Sequence, residues 1–210
     1  MILESTLLNL LKKIPEVKQG HKVVLGIDGL SRSGKTTIVR NIEQLIEDKE
    51  ICVLHIDDYI VERKRRYNTG NEEWFEYYHL QWDVEWLKEH LFRRLKSSHE
   101  LQLLTYNNED DTHSLNTIKL PDTCLILIEG VFLQRKEWSN YFDYMIFVDC
   151  GRKERFKRER VETQNNLVKF ETRYWKAEEY YMETVSPIES ADLLIKNYSS
   201  KSEYTGTTFD

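Results

Sequence analysis

Lys22-Val-Val-Leu-Gly-Ile-Asp28 runs directly into Gly29-Leu-Ser-Arg-Ser-Gly-Lys-Thr36. The first stretch is a continuous apolar run of strand length closed by an acid, and the second fits GxxxxGK[ST] at every defined position. Beyond it, Ile38, Val39, Ile42, Leu45 and Ile46 recur on one face at helical spacing. Strand, glycine-rich loop and helix together turn the pattern into a mechanism. The glycines let the backbone curl into a nest of amide N–H groups, and the helix N-terminus adds partial positive charge. Gly29, Leu30, Ser31, Arg32, Ser33, Gly34, Lys35, Thr36 and Thr37 are therefore the candidate nucleotide-binding residues. Lys35 is expected to reach the β- and γ-phosphates of ATP, and the Thr36 hydroxyl to ligate Mg²⁺.

Outward from this loop, short apolar runs alternate with longer helical patterns, which predicts βαβ units and a doubly wound, parallel, five-stranded α/β sheet. Besides residues 22–28, the strand candidates are 51–56, 123–129, 144–149 and 192–196. Most are apolar throughout, as strands covered on both faces must be. Helices are expected over 1–13, 35–49, 84–96 and, as one or two, between 152 and 184. The charged and aromatic stretch 57–83 reads as loop with one helical turn. Two short runs, LQLLTY and NTIKL, flank the polar centre 107–111 and predict a β-hairpin insertion over about 101–120. The expected organisation is one domain over 1–198, with a lid near 150–165 and a polar tail over 199–210.

The 210 residues carry 40% hydrophobic and 31% charged side chains, enough to bury a core. A net charge of −6 argues against a general nucleic-acid binder. No apolar run is long enough to span a bilayer, and the N-terminal leucines, interrupted by Glu4, do not read as a signal peptide. Cys52, Cys124 and Cys150 are odd in number and lie in apolar runs, which reads as buried thiols in a reducing, cytoplasmic setting. Self-association is left open.

Transfer of a phosphoryl group to a small alcohol needs a carboxylate at the sheet edge, a metal-holding acid and cations over the phosphates. Asp57 and Asp58 end the second strand, and spacing alone does not choose between them as general base. Glu129 closes the strand of Leu125-Ile-Leu-Ile128 and suits a magnesium carboxylate. In Arg152-Lys-Glu-Arg-Phe-Lys-Arg-Glu-Arg160, Arg155 and Arg158 lie about one helical turn apart and are the candidate phosphate clamps. The other basic run, Arg63-Lys-Arg-Arg66, reads as a solvated loop. Trp74, Phe75, Tyr77, Tyr78 and Trp82 read mainly as core, with one or two available as a stacking wall.

With these residues in view, the chain resembles the uridine kinase family of P-loop kinases, related to nicotinamide riboside and pantothenate kinases. The matches are residues 26–37, Asp57-Asp-Tyr59, Ile128-Glu-Gly-Val131, Phe147-Val-Asp149 and Ala191-Asp192. The resemblance implies ATP- and Mg²⁺-dependent phosphorylation of a hydroxyl on a nucleoside-like acceptor. It places the catalytic role on Asp57, with Tyr59 beside it in the acceptor site. Tyr106 and Thr112-His113-Ser114 are similar to a Tyr-Asp-x-x-x-His-Ser segment that encloses the nucleoside in that family. Leu80-Gln-Trp-Asp-Val84 is closer to the nicotinamide riboside kinases, which implies base stacking by Trp82 and ribose binding by Asp83. Where uridine kinases carry Arg-Gly-Arg-Asp, this chain runs through Val161-Glu-Thr-Gln-Asn-Asn166. A non-nucleoside alcohol such as pantothenate, or a nucleotide-binding regulatory module without transfer activity, stand as the alternatives.

Overall fold

Cys124 to Gly130 are buried at every position and Val23 to Asp28 likewise, so these two segments form the doubly covered centre of a sheet. A computed structural model describes residues 12–46 and 50–197. Its strands are β1 (Lys22–Asp28), β2 (Ile51–His55), β3 (Glu100–Asn107), β4 (Thr112–Lys119), β5 (Cys124–Gly130), β6 (Tyr144–Asp149) and β7 (Leu193–Lys196). Five of them form one parallel sheet in the order β2-β5-β1-β6-β7. Alternation along β1 builds the two layers. Val23, Leu25 and Ile27 pack with Ile38, Val39 and Ile42 of helix α1 (Lys35–Leu45) on one face. Val24 joins Phe92, Phe132, Trp138 and Tyr181 on the other.

The strands fall where the apolar runs predict them. The connections differ more. Residues 57–83, expected as loop with a single turn, hold a 3₁₀ turn (Ile56–Tyr59), α2 (Arg63–Arg66) and α3 (Glu73–His79). Buried polar pairing is the reason. Arg66 is buried, donating from Nε to Val61 O and from Nη2 to the Tyr106 hydroxyl. Glu76 is buried too, where it pairs with Arg173 and accepts from Thr69 N and Oγ1. The basic run over 63–66 is therefore a helical turn with one buried arginine, not a solvated loop.

Further on, α4 (Val84–His90) gives way to a 3₁₀ turn at Phe92–Arg94. The region expected as one or two long helices is broken into α5 (Arg152–Lys157), α6 (Val161–Gln164), α7 (Leu167–Lys169), a π-helical turn (Phe170–Tyr174) and α8 (Trp175–Val185). A short α9 (Pro187–Ser190) follows. The hairpin is present: β3 and β4 pair antiparallel from Glu100↔Lys119 to Asn107↔Thr112, apart from the main sheet. Arg63 N donates to Asp111 Oδ1 and His113 Nε2 bonds Ile60 O, which ties the hairpin to the segment after β2. The predicted helix over 1–13, but for residues 12 and 13, and the tail over 199–210 lie outside the described residues.

Candidate active site

Parallel β1, β2 and β5 deliver Asp28, Asp57 and Glu129 to one carboxyl edge, where open α/β sheets bind ligands. The loop from Gly29 to Thr36 crosses that edge. Gly34 has φ +105°, and a Cβ there would lie 2.4 Å from the Asn197 amide nitrogen, so the position admits only glycine without rearrangement. Gly29, at φ +150°, would bring a Cβ 2.6 Å from Val148 O. The loop's first peptide is held by buried Asp28, which accepts from Gly29 N at 2.7 Å, from Gln134 Nε2 at 3.0 Å and from the Tyr181 hydroxyl. Burial pushes the Asp28 carboxyl pKa up, with these hydrogen bonds opposing it.

Lys35 is buried and donates from Nζ to Gly29 O at 2.9 Å and Leu30 O at 3.1 Å. Desolvation pulls its pKa down, while Glu129, Asp57, Asp28 and Glu178 pull it back up. Arg158 Nη1 donates to Arg32 O at 2.9 Å and Ser33 O at 3.2 Å, and Asn197 Nδ2 donates to Ser33 O at 2.7 Å. Arg155 is placed differently from the phosphate clamp expected of it. It is buried in an ion pair with Glu178, at 2.8 and 2.9 Å, and its Nη1 also donates to Ser31 O at 3.0 Å. A guanidinium so engaged braces the loop beside the cleft.

Thr36 Oγ1 donates to Glu129 Oε1 at 3.0 Å, so a hydroxyl and a carboxylate sit side by side at the helix start. Two hard oxygens of this kind fit Mg²⁺, which takes few protein ligands and keeps waters and substrate phosphates for the rest. His55 Nδ1 lies 2.8 Å from the same Oε1. Desolvation pushes the Glu129 pKa up, but His55, Lys35 and Thr36 outweigh it and the carboxyl ends below its ordinary range.

These groups line one cleft of about 1020 Å³. Lys35, Thr36, Thr37, Glu129, Arg155 and Arg158 all border it, and so does Asp57. The Asp57 side chain opens onto the cleft, yet the protein mass around it displaces water. That desolvation pushes its pKa up, Lys35 opposes the rise, and Glu129 and Asp58 add to it. Asp58 does not border the cleft, which separates the two acids that spacing left equivalent.

The acceptor residues expected from resemblance fare differently. Trp82 is only 2% exposed, donates from Nε1 to Ile56 O at 2.9 Å, and packs edge-on against Phe132 and Trp138. It is core, not a stacking wall. Asp83 caps α4 by accepting from Trp86 N at 3.1 Å and pairs with Arg65 at 2.9 Å, away from the cleft. Tyr59 closes the 3₁₀ turn with its side chain buried and does not line the cleft. The Tyr106 hydroxyl is taken up between Arg66 and Asp111, and His113 is engaged with Ile60 O, so both stitch the hairpin down and neither lines the cleft. The side chains that do line this end are Ile60, Tyr67, Tyr77, Gln81, Asn108 and Val131. Gln81 is 8% exposed and its Oε1 has no partner among the described residues.

Sequence reasoning misses His55, Gln81, Glu178 and Asn197. Glu178 sits in Lys176-Ala-Glu-Glu-Tyr180, which reads as an ordinary solvated helix face. Gln81 had a signal, for it immediately precedes the pair that was singled out.

A parallel sheet with the glycine-rich loop between its central strand and α1 defines the P-loop nucleotide-binding class of α/β folds. Within that class the family follows from comparison. Residues 24–201 match the Phosphoribulokinase / Uridine kinase family, and the chain belongs to it. It is 51% identical to a structure from Bacillus stearothermophilus described as a "Possible Uridine Kinase", covering 93% of this chain and 100% of that one at a TM-score of 0.81. It is 29% identical over 135 residues to a uridine kinase of Staphylococcus haemolyticus, covering 61% of this chain and 62% of the relative. With uridine-cytidine kinase B of Dictyostelium discoideum it shares 27% identity over 146 residues, 66% of this chain and 57% of the relative. The chain thus spans about three fifths of the length of the curated relatives it matches. Among the described residues no helix is long and apolar enough to cross a membrane.

Proposed function

We propose that the protein is an ATP-dependent kinase that phosphorylates a hydroxyl of a nucleoside-like small molecule. The observation that carries this reading is the meeting of Lys35, Thr36, Glu129 and Asp57 around one cleft. The uridine and uridine-cytidine kinases among the relatives support the acceptor class.

The loop amides and Lys35 hold the β- and γ-phosphates and take up charge as the bond to the leaving oxygen lengthens. Thr36 and Glu129 would hold Mg²⁺, which would supply neutralisation of phosphate charge when bound. Asp57 accepts the proton of the acceptor hydroxyl as its oxygen bonds the γ-phosphorus, and ADP departs with the electrons of the broken P–O bond. A carboxyl pKa raised by desolvation makes Asp57 a better base than an ordinary surface aspartate. Arg158, exposed at the rim and bonded among the described residues to loop carbonyls and Asn197 O, is the cation assigned to cover the phosphates.

The test is ADP release with ATP and Mg²⁺ against uridine, cytidine, nicotinamide riboside, pantothenate and no acceptor. Release stimulated by a nucleoside, and reduced about 10²- to 10⁴-fold in Asp57→Asn with ATP binding kept, is the expected result. Acceptor-independent release, or stimulation by pantothenate alone, would overturn the acceptor class. ATP binding without any turnover would point to a regulatory module.

A further inference from the structure

We infer that Arg155 and Glu178 act together as a positioning pair that fixes the Ser31 peptide of the phosphate loop. Neither side chain is a phosphate ligand in this assignment. The assignment deepens the nucleotide-binding reading above and rests on it for its affinity readout.

Glu178 Oε1 accepts from Ser31 N at 3.1 Å. Arg155 Nη1 donates to Ser31 O at 3.0 Å. The same two groups are joined to each other at 2.8 Å, and the second nitrogen and second oxygen close a parallel bond at 2.9 Å. One residue of the loop is therefore gripped at its N–H and its C=O by opposite ends of one bidentate pair. Both side chains are buried, at 5% and 3% exposure. Arg155 Nε is anchored in turn to Cys150 O at 2.9 Å, at the end of β6. The grip thus runs from sheet to loop tip to α8 through groups with little freedom to move.

The geometry constrains what else Arg155 does. Each of its guanidinium nitrogens already donates to an oxygen, so turning it onto a phosphate breaks the carboxylate pair and strands Glu178 in a buried site. A loop that offers its remaining amides to phosphates gains from having its carbonyls and the N–H groups of Gly29 and Ser31 held before the ligand arrives. Arg158 and Asn197 hold the Ser33 carbonyl in the same manner one turn later. The loop tip is thus set by side chains gripping backbone.

The test compares Glu178→Gln, and Arg155→Met with Glu178→Leu in one chain, against the parent. The paired apolar change removes the grip without leaving a buried charge unpaired, so the fold is expected to hold its melting temperature. ATP and ADP dissociation constants are expected to rise together, on the order of tenfold, in both variants. Amide exchange at residues 29–34 should quicken in the ligand-free chain. A phosphate-clamp role for Arg155 gives the opposite sign, since Glu178→Gln would then release it and tighten ATP. Tighter ATP binding in Glu178→Gln, parent-like affinity in the apolar pair, or unchanged loop exchange would each overturn the assignment. Faster loop exchange in a chain whose parent binds no nucleotide would keep the brace and remove the kinase reading instead.

Discussion

The two ends of the cleft are built in opposite ways. At the phosphate end the cleft is bordered by one short stretch of sequence, within residues 31–37, and a loop of this kind offers its main-chain amides to phosphates. Side chains from distant segments, Arg155, Arg158, Glu178 and Asn197, border the cleft beside the loop and grip its peptide groups. At the acceptor end no run of sequence dominates. Asp57, Tyr67, Tyr77, Gln81, Asn108 and Val131 come from different elements and their side chains face the space directly. Phosphates are the same in every nucleotide, so backbone amides suffice. Acceptors differ, and only side chains carry that selectivity. Damage at the first end should fall on turnover and nucleotide binding, and damage at the second on acceptor affinity.

The sharpest break in this comparison is Lys35→Ala, which takes from the phosphate end the buried cation assigned to the phosphates. A kcat lower by about 10²- to 10³-fold is expected, in line with the loss of one preorganised charge-stabilising donor, with acceptor KM little changed. An equal rise in acceptor KM would mean that the two ends are not separable. Next in size is the pH response. The Asp57 carboxyl lies above its ordinary 3.8 because burial disfavours its charge, and only the ionised form accepts a proton. Log kcat/KM against pH should therefore bend at a pH above that ordinary value and fall about tenfold per unit on the acid side. Asp57→Asn should lack the bend. A bend that persists in the mutant would assign it to another group.

Gln81→Leu is a smaller effect aimed at the other end. Its side chain borders the cleft and its buried Oε1 has no partner among the described residues, so an amide turned toward the cleft suits an acceptor N–H or O–H. Acceptor KM should rise roughly fivefold to tenfold, the weight of one net hydrogen bond, while ATP affinity stays put. Equal KM values would place acceptor recognition elsewhere on the wall.

The same contrast explains what a reader of the sequence could see. The phosphate loop is local, so GxxxxGK[ST] between an apolar run and an amphipathic helix was enough to find it. The parallel strands were legible for a similar reason, because burial on both faces leaves no polar position to blur a run such as Cys-Leu-Ile-Leu-Ile128. The acceptor wall depends on where α3, the hairpin and the 3₁₀ turn at Ile56–Tyr59 meet, and that is set by buried pairs such as Arg173–Glu76 and Arg66–Tyr106. A charged residue that pairs in the interior looks, in a string of letters, like one in solvent. Hence the letters alone make Arg66 part of a solvated loop and Arg155 a phosphate clamp, and they give Glu178 no role.

The smallest effect separates two aspartates that both stood as acceptor-binding residues, Asp57 and Asp83. Asp83 spends its carboxylate on the α4 cap and on Arg65, outside the cleft. Asp83→Ala should cost about 1 kcal/mol of folding stability, as the loss of an N-cap does, and leave kcat and both KM values unchanged. The acid side sharpens the point. Desolvation opposes it, but the bonds from Arg65 and Trp86 N dominate and hold the Asp83 carboxyl below its ordinary range in the folded chain. A carboxyl depressed on folding stabilises at neutral pH and loses that contribution as pH falls through its folded value. Thermal melts of parent and Asp83→Ala should therefore differ at pH 7 and converge in strong acid. If the variant instead raises the acceptor KM as Gln81→Leu is expected to, the boundary drawn here between cleft wall and helix cap lies one turn too far upstream.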